Sequence, residues 1–337
     1  MPVTLRDIAR ETGYSITTVS RALNDYNDVS AATKQTIRDA AERLGYHPNV
    51  TAQHLKRQRT DTLGFIIPTT GPRFSDPFFI EFLTGIGNEA GTHGYDLLVS
   101  TQSPGPGEID AYRRFVLGQR VDGLIIVRTR RQDPRITYLM EEHFPFVAFG
   151  RTEDNGAFPF VDEDGRAGIA QATQHLISQG HHRIAFIAAD QRLMFAHERL
   201  MGYVETMQEN GTPVDENLIV EGDLSQRSGR QAAHHLLDLP EPPTAIMAAN
   251  DLMALGAMAA IQAHGLVVGR DMAVTGFDDI PLAEHSHPPL TTVRQPILRI
   301  GKTVCRMLLN TIQGEPLEEL HVILQPTLIV RASSTRA

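Results

Sequence analysis

Thr4-Leu-Arg-Asp-Ile-Ala-Arg-Glu-Thr-Gly-Tyr-Ser-Ile-Thr-Thr-Val-Ser-Arg-Ala-Leu-Asn24 reads as two short helices broken at Gly13. Thr4 followed three residues on by Asp7 is a capping box, which satisfies the free amides at a helix start. Gly13 ends that helix, because glycine adopts positive φ without steric cost and lets the chain turn before Ser15 caps the next one. In the second helix Val19, Ala22 and Leu23 share the face that packs on Leu5, Ile8 and Ala9, leaving Ile16, Thr17, Ser20 and Arg21 on the other. The pattern is that of a helix-turn-helix, whose second helix enters a DNA major groove. Arg suits a guanine edge there, and Thr or Ile a thymine methyl. Two capped helices also make a plain hairpin, so the flanking sequence has to decide.

The continuation favours the DNA reader. Ser30 caps a third helix with Ile37, Ala40, Ala41 and Leu44 at helical spacing, ended by Gly45, so three helices can close a small core. Pro48 and Asn49 lead into Val50–Lys56, about two turns, too short to hold a helix unaided in water. Residues 1–60 carry nine Lys or Arg against six Asp or Glu, a balance of +3, while the whole chain is at −9, which leaves −12 for the rest. Positive charge therefore gathers at the end that carries the motif, as binding to a phosphate backbone requires.

Val3-Thr-Leu-Arg-Asp-Ile-Ala9, Thr18-Val-Ser-Arg-Ala-Leu-Asn24, Val29-Ser30, Leu44-Gly-Tyr-His-Pro-Asn49, Asn250-Asp251 and Gly276-Phe-Asp-Asp279, in that order, make the chain resemble the LacI/GalR family of bacterial transcription regulators nearly end to end. The resemblance implies a hinge helix at 49–56 that orders on operator DNA, with Leu55 in the place of a leucine that wedges into the minor groove. Leu55 packed on a neighbour is the other reading. The set expected to face DNA is Thr4, Leu5, Ser15, Ile16, Thr17, Thr18, Ser20, Arg21 and Asn24 in the head, with Asn49, Ala52, Leu55 and Lys56 in the hinge.

From residue 61 onward apolar strand-like runs alternate with amphipathic helix patterns. Leu63–Pro68, Tyr95–Ser100, Gly123–Val127 and Phe146–Phe149 alternate with helices near 77–93, 107–118 and 134–143. A second series, Arg183–Ala188, Leu218–Val220, Ala245–Ala248 and Ala273–Gly276, alternates with helices near 165–179, 195–210, 226–237 and 251–264. Such alternation predicts parallel sheets covered on both faces. The fold class is thus a small all-α helix-turn-helix head before an α/β core of two doubly wound parallel-sheet subdomains. The final stretch adds a strand, a helix and the apolar run Val322–Val330. Resemblance to periplasmic sugar-binding proteins, whose fold the family shares, implies three crossings between the halves, near 161, 291 and 323. The expected domains are 1–47 (head), 48–60 (hinge), 61–161 with 292–323, and 162–291 with 324–333.

Ligands of open α/β sheets bind past the carboxyl ends of the strands, so the site is expected in the cleft between the halves. Asn250 and Asp278 stand at two such ends and offer the paired donors and acceptors that a sugar's hydroxyls need, while Arg199 offers charge-assisted donors. The resemblance places all three among the family's effector contacts, although Asn250 and Asp251 can also cap the following helix. Phe79 and Phe160, near strand ends, can stack on a sugar ring or belong to the core, as can Phe78 and Phe149; Arg151 is expected to point into the cleft, and Asp190 is a weaker candidate. A family member carries an acidic ligand where Gly150 stands here.

Other chemistry fails on context. Gly85-Ile-Gly-Asn-Glu-Ala90 fits the letters of a dinucleotide fingerprint but lies inside a helix pattern, and Gly301-Lys-Thr303 has Pro296 where a phosphate loop needs its first glycine. His181-His182 and His234-His235 are adjacent pairs that do not easily converge on one metal, so neither metal nor cofactor is expected. Cys305 is the single cysteine, which fits a reducing compartment, and no signal sequence or membrane-length apolar run is read. A free sugar receptor would lack the head, and a glycosidase would need Asp278 and Asp279 to face one bond. The reading is a cytoplasmic, dimeric repressor of a palindromic operator, controlled by a mono- or disaccharide, with a purine effector as the variant. The chain ends soon after Val330 without a heptad tail, which favours a dimer.

Overall fold

The computed structural model describes residues 3–46, 59–69, 76–154 and 156–335. The chain divides into two units, Met1–Thr60 and Asp61–Ala337. In the first unit, α1 (Leu5–Thr12), α2 (Ile16–Leu23) and α3 (Ala31–Leu44) surround Ile8, Val19, Ala22, Ile37 and Ala40, all fully enclosed. Asp7 accepts hydrogen bonds from the Thr4 backbone amide at 2.9 Å and from its hydroxyl at 2.7 Å. Gly13 sits at φ 75°, and the side chains of Ser15 and Ser30 accept from the amides of Thr18 and Thr33. Asn49, Ala52, Leu55 and Lys56, the expected hinge contacts, lie outside the described residues.

Among its described residues the second unit holds two six-stranded sheets. The first sheet is built from β1 (Thr62–Pro68), β2 (Asp96–Gln102), β3 (Gly123–Ile126), β4 (Phe146–Phe149), β5 (Phe160–Glu163) and β11 (His321–Leu324). Their order is β11-β5-β4-β3-β1-β2, and every pairing is parallel. The second holds β6 (Ile184–Ala188), β7 (Ile219–Glu221), β8 (Ala245–Ala248), β9 (Ala273–Asp278), β10 (Thr291–Arg294) and β12 (Thr327–Ile329). It runs β12-β10-β9-β8-β6-β7, with only β12 antiparallel.

Alternation along β1 shows how one strand serves two cores. Phe65 and Ile67 face α4 (Pro77–Thr92) and α12 (Ile297–Gln313), whereas Ile66 faces α5 (Glu108–Val116) and α6 (Pro134–Glu141). The second sheet packs with α7 (Gly165–Ser178), α8 (Met194–Glu209), α9 (Gln226–Leu237) and α10 (Asp251–Ala263), beside the short α11 (Pro281–His285). Gly85 and Gly301 are where α4 and α12 touch: a Cβ on Gly85 would stand 2.5 Å from the Leu298 carbonyl, and one on Gly301 2.5 Å from that of Phe82. Close helix packing accounts for glycine in both of those misleading motifs.

The chain passes between the lobes after Glu163, after Arg294 and between Leu324 and Thr327, each slightly later than the expected 161, 291 and 323. Asp162 and Glu163 continue the β5 ladder opposite Ile323 and Leu324, so two acidic residues extend a strand that an apolar pattern ends early. Thr291–Arg294 belongs to the second sheet, not the first. The Val322–Val330 run is two strands, split by Gln325-Pro326 and placed in different sheets, because proline supplies no ladder amide. No described helix is long and apolar enough to cross a membrane.

Candidate functional site

In the head, α2 turns Ile16, Thr17 and Arg21 to solvent beside Ser15, with Thr18, Ser20 and Asn24 half-buried at the edges. Thr4 is exposed at the start of α1, while Leu5 packs partly on the head's core. Ser15 also meets the Thr18 hydroxyl at 2.9 Å, and the Asn24 amide donates to the Ser20 carbonyl at 2.7 Å. Arg21 is held by Asp28 at 2.6 Å and lies 5.2 Å from the Tyr26 ring centre, so it must leave or share a carboxylate to reach a base. Sequence reasoning missed Asp28, and also Tyr14, which is exposed at the turn.

In the body, a cavity opens where the C-terminal ends of both sheets meet. Phe79, Arg199, Asn250 and Asp278 converge on it from α4, α8, the end of β8 and the end of β9. Arg199 is its centre. The guanidinium donates to Glu163 Oε1 at 2.7 Å and to the Ala249 carbonyl at 2.7 Å, and stands 3.8 Å from Asp278 Oδ1. Its carbon lies 3.6 Å from the Phe277 ring centre, a cation–π contact that fixes the plane of the fork. Because Glu163 ends a strand of the first sheet and Arg199 stands on α8, which packs on the second, this buried ion pair ties the lobes together. Two backbone bonds do the same beside it: Met194 N donates to the Thr129 carbonyl and Arg131 N to the Arg192 carbonyl, both at 2.9 Å.

Three enclosed polar atoms in this cluster have no hydrogen-bond partner among the described residues: Glu163 Oε2, Arg199 Nε and Gln295 Oε1. Gln295 spends its amide on Asp278 Oδ1 at 2.5 Å, leaving its carbonyl open. Buried polar atoms left alone are costly, so two acceptors and a donor at one cavity call for a hydroxyl-rich ligand. Asn250 is both cap and lining: its Oδ1 accepts from Met253 N at 3.0 Å and its amide donates to the Leu224 carbonyl at 3.0 Å. Phe78, Phe79 and Phe149 form the apolar wall, with Phe78 stacked on Phe149 at 5.6 Å.

Phe160 and Arg151 do not line the cavity. Phe160 is the first residue of β5, at the opposite end of the strand from the cleft, and is enclosed 4.2 Å from the His321 ring and packed on Phe158. Arg151 spends its Nε on Asp162 Oδ2 at 2.6 Å. Asp279 is taken by Arg294 and Arg331, at 2.6 and 2.8 Å, and so forms no acid–base pair with Asp278. Gly150, at φ 108°, leaves no room for an acidic side chain, since a Cβ there would meet Thr129 Oγ1 at 2.3 Å.

Burial shifts the carboxyls. Asp278 is raised well above the usual range by burial, which outweighs Arg199, and Asp251 and Asp76 push the same way. Burial together with the neighbouring Glu163 charge pushes Asp162 up to about 7 despite Arg151. Asp251, fully enclosed, is also pushed up to about 7 by burial, against hydrogen bonds from Thr292 and Ile280. Between the ordinary value of 3.8 and about 7 the native Asp251 holds a proton that the unfolded chain has released. Its relative stabilisation is therefore full below that window and is lost as pH rises through it. We expect the parent's unfolding midpoint to fall relative to that of Asp251→Asn as pH is raised across this window; a constant difference would contradict the assignment.

A family model described as bacterial regulatory proteins, lacI family, matches residues 4–49, and one for a periplasmic binding protein-like domain matches residues 173–334. The HTH-type transcriptional regulator CelR of Thermobifida fusca is 37% identical over 333 residues, 98% of each chain. The chain belongs to the LacI family. The HTH-type transcriptional repressor CytR of Escherichia coli is 33% identical over 334 residues, 99% of this chain and 96% of that one. Among solved structures, the lac repressor dimer bound to operator and the anti-inducer ONPF matches with TM-score 0.88 and 30% identity, over 99% of this chain and 100% of that one. A CelR–cellobiose complex matches with TM-score 0.76 and 36% identity, over 98% and 99%. As a LacI-family member the chain is a DNA-binding transcriptional regulator whose body carries a periplasmic binding protein-like domain, and not an enzyme.

Proposed function

We propose that this LacI-family chain is a repressor that binds a palindromic operator as a homodimer in the cytoplasm and is released or tightened by a small neutral sugar, a mono- or disaccharide, in the cleft. Two-fold symmetry of the protein demands two-fold symmetry of the site, with one recognition helix in each of two successive major grooves and the hinge segments, with Asn49, Ala52, Leu55 and Lys56, at the centre. Thr4, Leu5, Ser15, Thr18, Ser20 and Asn24 hold the backbone, and Ile16, Thr17 and Arg21 read base edges. The observation that carries the sugar assignment is the set of unpartnered atoms on Glu163, Arg199 and Gln295 around one cavity, next to an aromatic wall. A planar apolar face with hydroxyls at its rim satisfies both. CelR, a relative, is seen in complex with cellobiose, a sugar of that chemistry. Lobe closure is the mechanism: a sugar that replaces the Arg199–Glu163 contact alters how the lobes meet, and thereby how two subunits present their hinges.

The test is a competition assay with the purified full chain at moderate salt. An inverted repeat selected from genomic DNA should resist a large excess of scrambled duplex in at least one ligand state, with two subunits per repeat by sedimentation. Equal competition by scrambled DNA, with and without a sugar panel, would overturn the reading.

A further inference from the structure

Left-handed backbone gathers at the cavity around Arg199. Arg128 at φ 50°, Leu224 at φ 67° and Asp278 at φ 116° all line it, and Asp279 follows at φ 58°. None of these is glycine, and other residues keep such angles only where their surroundings dictate them, as in ligand clamps. Arg128 and Leu224 are fixed through their carbonyls, which accept from Arg135 and from Asn250, both at 3.0 Å. The Asp278-Asp279 turn, with two such residues in succession, needs more.

Its side chains are held on two sides: Gln295 donates to Asp278 Oδ1 at 2.5 Å, and Arg294 and Arg331 bind Asp279. Its backbone is held from behind. Ile280, which follows the turn and precedes α11, donates its amide to Asp251 Oδ2 at 2.9 Å. Asp251 is fully enclosed at the start of α10, and its other oxygen accepts from the Thr292 hydroxyl at 2.5 Å. Space for this carboxyl is built into β9, since a Cβ on Gly276 would lie 2.2 Å from Asp251 Oδ1.

Asp251 does not itself line the cavity. Its two bonds serve different ends: the one from Thr292 joins α10 to β10, which supports the fold, while the one from Ile280 fixes the turn that carries Asp278. With Asn250 holding Leu224, one helix start sets two edges of the cleft.

We propose that Asp251 is a positioning residue of the effector site: through Ile280 it holds the Asp278-Asp279 turn left-handed and keeps the Asp278 carboxyl facing Arg199. This rests on the sugar reading above for the ligand, and on geometry alone for the turn. Calorimetric titration of the full chain with cellobiose, lactose, maltose, sucrose, glucose and galactose selects the tightest-binding sugar, which is then titrated into the variants. Asp251→Ala should bind it about ten-fold or more weakly, the cost of one buried amide left without an acceptor. Asp251→Asn, which keeps an acceptor oxygen for Ile280, should bind like the parent. Thr292→Val removes only the other bond, so it should lower the melting temperature and leave the affinity unchanged. If Asp251→Ala does not fold, Asp251→Ser takes its place, because its hydroxyl is one bond short of Ile280. Hydrogen exchange of the ligand-free chain reads the turn directly: amides 277–280 should exchange about ten-fold faster in the alanine or serine variant than in Thr292→Val. Parental affinity in the alanine or serine variant, an equal loss in Asp251→Asn or Thr292→Val, or equal exchange in the compared variants would overturn the assignment and leave the sugar reading standing. If no sugar binds the parent, the sugar reading falls and the exchange comparison alone decides the role of Asp251.

Discussion

Arg199→Met is expected to abolish the sugar response and to destabilise the body by about 3–5 kcal/mol, because it leaves the buried Glu163 carboxylate without its cation. On the proposed reading the same change also removes the open Nε donor, so affinity should fall below detection in calorimetry. Arg199→Lys separates the two effects. Lysine keeps the charge but not the planar fork that reaches Glu163, the Ala249 carbonyl and the cavity together. Thermal stability should recover in large part and sugar binding should not. If the lysine variant binds sugar as the parent does, the fork is not what holds the ligand.

The second large effect lies in the head. Arg21→Ala should weaken the cognate operator by about 1–3 kcal/mol, roughly 5- to 150-fold, the worth of one bidentate base contact. Affinity for random duplex should change little. Asp28→Asn should act in the opposite sense, because it frees Arg21 from the carboxylate that holds it at 2.6 Å. Anisotropy titrations on both duplexes at several salt concentrations distinguish the roles. An equal loss on cognate and random DNA, with a shallower salt slope, would make Arg21 a phosphate contact.

The head was legible because its signals are local: a capping pair, Gly13 at positive φ and a one-sided apolar stripe all act within a few residues. Most strands of the body were legible for a similar reason, since strands buried on both faces are continuous apolar runs. β5 was not. Phe160–Glu163 is short and half acidic, and only its pairing between β4 and β11 makes it a strand. Missing β5 meant missing Glu163, and with it the partner of Arg199. Asn250 and Asp278 could be read from strand ends and, like Arg199, from family likeness, yet Gln295 carried no signal, because its place depends on β10 joining the second sheet. Phe160 misled because it begins β5, and with β5 unread there was no way to tell which end of that strand meets the cleft. Leu224 and Arg128 become informative only once their backbone angles are known.

The most direct test of the central claim measures the affinity for the tightest-binding sugar twice, once on the free full-length protein and once on the protein saturated with its operator. Coupling between two sites is reciprocal, so a sugar that changes operator affinity by some factor must have its own affinity changed by the same factor. The account predicts two different sugar affinities, in a ratio equal to the ratio of operator affinities with and without sugar. Identical sugar affinities in the two states would contradict it.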